Sequence, residues 1–113
     1  MGDYGRFMIV GVCHIGLLIH HSQSLKDKRQ TLKKVIDGAR NRFNVSVAEV
    51  GSHDLWQKAE LGISVVGSDV SVINSVVDRL INFIEGLHAA EITDHDMEFI
   101  NYSLDDKDKK YIV

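Results

Sequence analysis

The sequence predicts a single α+β domain: a four-stranded antiparallel sheet with two helices on one face. Three observations predict it. Apolar residues recur at helical spacing in two separated segments, Ser24–Asn44 and Val70–Leu87. Four other stretches read as extended chain, rich in Val, Ile and Phe or alternating apolar with polar. The resulting order is strand, helix, strand, strand, helix, strand, with short connections and no linker, repeat or low-complexity segment between. With 113 residues, 44% hydrophobic and 26% charged, the chain has the size and composition for one core without staples. The order is that of the ferredoxin-like βαββαβ sandwich. Residues 1–104 are expected to form this domain and 105–113 a charged, solvated C-terminal tail.

The first strand is Phe7–Ile19. Phe7, Ile9, Cys13, Ile15, Leu17 and Ile19 alternate onto one face and Met8, Val10, Val12 and Leu18 onto the other, so both faces ask for cover. Gly11 and Gly16 are read as bends or bulges. Ser24 is placed to cap the first helix, with Asp27 three residues on as a partial capping box. Leu25, Leu32, Val35, Ile36, Ala39 and Phe43 share its apolar face, and Asn44, a residue that tolerates the left-handed conformation, is read as closing it. Val45–Val50 is a short strand. Leu55–Gly67 returns as its hairpin partner, with Ala59, Leu61, Ile63 and Val65 on one side. Ser68 or Asp69 caps the second helix, whose stripe is Val70, Ile73, Val76, Val77, Leu80, Ile81, Ile84 and Leu87. Ala90–Tyr102 is the last strand, with a bulge or kink expected at Asp94-His95-Asp96.

Charge is segregated along the chain. Ser24–Asn44 carries seven basic residues against two acids, a local +5; since the whole chain is -3, the remainder sums to -8. Much of that lies in Glu91–Asp108, with seven acids and one lysine. Such opposed halves fix where an anionic partner approaches. Lys26, Lys28 and Arg29 also sit in the first turns of the helix, where the macrodipole disfavours cations but free N–H groups favour anions. Lys26, Arg29, Lys33 and Arg40 line up beside the apolar face, in the manner of a phosphate-binding stripe. Lys26, Lys28, Arg29, Lys33 and Arg40 are therefore the candidate nucleic-acid contacts. A solubilising face, with lysine stems covering the core edge, explains the same pattern without a ligand.

Other chemistries find little support. The single cysteine, Cys13, lies in the apolar first strand and excludes an internal disulfide or a multi-cysteine metal site. His14 and His20 would lie about 20 Å apart on an extended strand, too far to share an ion. No nucleophile elbow, phosphate loop or dinucleotide fingerprint occurs, so no catalytic residue, metal or cofactor is expected. Base stacking on the sheet, as in RNA-recognition-motif domains, needs aromatics on the third strand, and 58–65 contains none. Acylphosphatase chemistry needs a glycine-rich loop with an arginine after the first strand, and His20–Ser24 has neither. The apolar run Phe7–Ile19 is too short to span a bilayer and lacks the flanks of a signal peptide, so a cytoplasmic protein with no membrane contact is expected. Glu49 and Trp56, with Asn44, are a candidate polar site beside the basic helix, or simply an edge carboxylate and an aromatic closing the core.

Three segments in this order and spacing, SLKDKR, NRFNVSVAEV and DLWQKAELGISVV, resemble the YlxP-like family, a bacterial family defined as a domain of unknown function. The resemblance runs from about Phe7 to Tyr102 and includes Ser24, Leu25, Lys26, Lys28, Arg29, Asn44, Glu49 and Trp56. It implies a ferredoxin-like fold. Because such genes often sit beside those of a translation initiation factor and ribosome-binding factor A, it also implies a translation or ribosome-assembly context. No catalytic residues come with it. The expectation is a non-enzymatic domain binding RNA or a ribosomal subunit through its basic helix. The alternative is a self-associating regulatory or scaffold domain, a homodimer in which a second copy covers the open sheet face.

Overall fold

The computed structural model describes residues 6–105. The expected strand boundary at Gly5 and the tail beyond Asp105 lie outside the described residues. The six elements occur in the predicted order: β1 Phe7–Leu18, α1 Leu25–Arg42, β2 Ser46–Gly51, β3 Lys58–Gly67, α2 Val70–Gly86 and β4 Glu91–Ser103. They form a ferredoxin-like α+β sandwich whose sheet order is β2-β3-β1-β4, with every neighbouring pair antiparallel. β1 is central, with Cys13 opposite Ile63 of β3 and Met97 of β4.

One face of the sheet is buried. Ile9, Cys13, Ile15 and Leu17 of β1 and Leu61, Ile63 and Val65 of β3 meet Leu32, Val35 and Ala39 of α1 and Ile73, Val77, Leu80 and Ile84 of α2. Burying each such aliphatic side chain contributes about 1.5–3 kcal/mol, which is why the period-two and helical patterns select the same side. Gly11 is not a bend: a Cβ there would sit 2.5 Å from Ile73 Cγ2, so the missing side chain lets α2 rest directly on β1. Gly16 does mark an irregularity. The register with β4 jumps from Asp94 opposite Gly16 to Ile92 opposite Leu17, one residue before the expected acidic kink.

Ser24 caps α1, its hydroxyl accepting from the Asp27 N–H at 3.0 Å, while the Asp27 carboxylate accepts from the Gln23 N–H at 3.0 Å. The other end departs from expectation. Asn44 does not close the helix in the left-handed region; Phe43 is the C-cap, extended at φ -131. Phe43 turns instead into the seam between the helices, edge-on to Phe83 at 6.0 Å, and Arg42 lies 4.9 Å from the centre of the same ring. Asp69, not Ser68, caps α2, its carboxylate accepting from the Ser71 N–H.

α1 packs beside β2, whereas α2 packs on β3, β1 and β4. The basic helix and the acidic strand therefore occupy opposite flanks of the sheet. Among the described residues, no helix is long and apolar enough to cross a membrane.

Candidate nucleic-acid interface on the first helix

The five predicted cations of α1 have different fates. Lys26, Arg29, Lys33 and Arg40 are exposed. Lys26 and Arg29 make no ion pair with another described residue. Lys33 pairs with Asp37 one turn on, Nζ to Oδ2 at 2.9 Å, a surface pair of small energetic weight. Arg40 donates from Nη2 to the Val47 carbonyl at 2.8 Å, covering part of the free edge of β2.

Lys28 contradicts its placement on the phosphate-facing surface: only 2% of its side chain is exposed. Its ammonium donates to the carbonyls of Ser52 at 2.8 Å, His53 at 3.2 Å and Lys58 at 3.1 Å. Those three bonds use all three protons of the ammonium. Glu49 Oε2 lies 3.1 Å from Nζ and is buried, yet no hydrogen bond is aimed at it. The pair is thus electrostatic, and Lys28 is a tether between α1 and the β2–β3 hairpin. Its spacing, four residues before Leu32 and seven before Val35, places it on the buried stripe. Position on the helix, and not basic character, decides the surroundings of this side chain.

Asn44, Glu49 and Trp56 do not form one site. Asn44 precedes β2 and Glu49 lies near its other end, five positions on, a span of up to roughly 16 Å. Asn44 lines a hollow with Ser46 and Ser64, whereas Trp56 lines another with Leu18 and Lys58. Glu49 faces inward to Lys28.

Two groupings emerge that the linear sequence does not display. After the register shift at the end of β2, Ser52 adopts a left-handed conformation, φ 59. Its carbonyl accepts from Lys28 on the helix side while its hydroxyl donates to Glu60 Oε2 on the open side. His14 Nε2 lies 3.1 Å from Glu60 Oε1. The Ser52 hydroxyl, and after it His14, holds the Glu60 carboxyl below its ordinary value. At the same end of the sheet but on its β4 edge, His20, His21 and His88 meet Glu85 and Glu91 around a hollow of about 400 Å³, with His20 Nε2 2.7 Å from Glu91 Oε1. Residues about seventy positions apart give no local signal of such a meeting. Among the described residues, no group of three His, Cys, Asp or Glu side chains is arranged to hold a metal ion.

The open sheet face is itself divided. Val12, Val66, Ile100 and Tyr102 are exposed by 42, 62, 55 and 42%, and Val10 stands between Val66 and Ile100 in register. Ser64 and Glu98 stand opposite Val12, and His14, Glu60, Asp94 and Asp96 lie further along the same face.

A model for a family described as "Protein of unknown function (DUF503)" matches residues 10–97. The "Uncharacterized protein YlxP" of Bacillus subtilis (strain 168) is 33% identical over 85 residues, which cover 75% of this chain and 92% of that protein. A solved structure, "De novo designed protein Foldit4", is similar at a TM-score of 0.43 and 17% identity, covering 84% of this chain and 96% of its own.

Proposed function

As the chain belongs to the DUF503 family of proteins of unknown function, we propose that it is a non-enzymatic domain that associates with RNA or a ribosomal subunit through the solvent side of α1. One observation carries this reading: Lys26 and Arg29, with Lys33 and Arg40 further along, stand exposed on the flank opposite the acidic β4. A polyanion approaching that flank meets positive charge and avoids Glu91, Asp94, Asp96 and Glu98. Lys28 belongs to the architecture of the site and makes no phosphate contact. The contacts expected are to backbone phosphates, so affinity should fall steeply with salt and depend little on sequence.

The test is an RNA-binding titration and co-sedimentation with ribosomal subunits across a salt series. Lys26→Ala/Arg29→Ala should weaken binding and flatten the salt slope by about 1.4, since each phosphate contact to a single strand contributes about 0.7. Absence of binding at low salt, or an unchanged slope in the double variant, sinks the reading.

A second reading is favoured by a separate observation, the exposed cluster of Val12, Val66, Ile100 and Tyr102 on the open sheet face. A second copy of the chain laid on that cluster would bury it, with Glu98 at its margin opposite Val12, and leave Glu60, Asp94 and Asp96 outside. Light scattering at high concentration checks it: Ile100→Glu should shift a dimer to monomer, and a wild-type monomer removes the dimer.

A further inference from the structure

We infer that Trp56 is a stacking platform for an unpaired base, so that the RNA bound beside it is single-stranded. The inference rests on the basic-face reading above and adds a substrate class to it. Trp56 is 56% exposed, and its neighbour Leu55 is 50% exposed, at the tip of the β2–β3 hairpin. Large aromatic surface of that extent is costly to leave in water.

The backbone around the ring is held fast. Lys28 binds the Ser52, His53 and Lys58 carbonyls. The Gln57 amide donates to the His20 and Ser22 carbonyls at 3.0 and 2.9 Å, and the Gln57 carbonyl accepts from the Ile19 N–H at 2.7 Å. The indole is therefore presented from a pinned turn, which lowers the ordering cost of a partner.

Trp56, Leu55 and Leu18 make the apolar wall of a hollow of about 490 Å³, with Lys58 and Asp54 at its margin. The same turn is tied through Lys28 to the first turns of α1, where Lys26 and Arg29 are exposed. A flat apolar surface with Lys58 at its rim, on a turn tied to a basic helix, suits unpaired nucleic acid: stacking is indifferent to base identity, and the cations further along the helix can track the phosphates. Duplex RNA keeps its bases stacked inside and offers the ring nothing.

Trp56 is the single tryptophan of the chain, so its intrinsic fluorescence reports the contact directly. The full chain is titrated with an oligouridylate and with a blunt RNA duplex of equal length, binding being followed separately by anisotropy of labelled RNA. The expected result is quenching by the single strand that saturates with binding, and no quenching by the duplex. Trp56→Ala should lose roughly five- to a hundredfold in affinity for the single strand with duplex affinity unchanged, and Trp56→Phe should recover most of it. Binding without quenching, together with unchanged affinity of Trp56→Ala, overturns the platform and leaves the basic face standing. Absence of binding to either RNA overturns both. Altered self-association of Trp56→Ala with unchanged RNA affinity also overturns it and assigns the ring to a chain–chain contact.

Discussion

The β2 flank and the β4 flank of this sheet both carry charge, and they use it differently. On the β2 side a lysine is taken out of water and spent on three carbonyls and a carboxylate, binding helix to hairpin. On the β4 side Glu91, Asp94, Asp96 and Glu98 stay in solvent along an edge strand exposed over most of its length. Acids on such an edge oppose pairing with another strand, a role that needs no partner and no fixed geometry. Charge type alone does not distinguish a tether from a solvated edge; the position of the residue relative to the apolar stripe does.

The largest effect expected from breaking this contrast belongs to Lys28→Ala. Removing the ammonium leaves three carbonyls and the Glu49 carboxylate buried without their cation, which should cost about 3–5 kcal/mol in urea denaturation. Lys26→Ala, two residues away on the solvent side, should stay within about 0.5 kcal/mol of wild type. Equal costs for the two would erase the distinction between the inward and outward sides of α1.

The smaller expected effect is one of pH and concerns the far side of the same hairpin. The Glu60 carboxyl is lowered by its bonds to Ser52 and His14. A carboxyl lowered in the folded state contributes stability that is present above its unfolded value and is lost as pH falls through its folded value. The stability difference between wild type and Glu60→Gln should therefore be largest near neutrality and shrink below the ordinary glutamate range. Denaturation curves at neutral and at acid pH measure this, and a constant difference would show that Glu60 gains nothing specific from its partners.

Much of the fold was legible because it depends on local periodicity. The stripe Leu32, Val35 and Ala39 announced α1, and the alternation of Ala59, Leu61, Ile63 and Val65 announced β3. Element ends were less legible. Phe43 leaves the helix with its ring against Phe83, forty residues on, and β1 stops at Leu18 although the Ile19 N–H still bonds the Gln57 carbonyl in the register of β3. The candidate site was half legible. Lys26, Arg29, Lys33 and Arg40 lie on the surface as their spacing indicates. Lys28 does not, and neither its three carbonyl acceptors nor the Ser52–Glu60–His14 chain leaves any trace in composition.

One consequence of the Lys28 tether concerns bearing. A helix lying on a sheet through aliphatic side chains alone can roll a few degrees about its own axis at little cost. With its ammonium locked to backbone oxygens of a separate hairpin, α1 cannot. The compass direction of the surface cations is thereby set from beneath, by a neighbour of like charge that solvent never reaches.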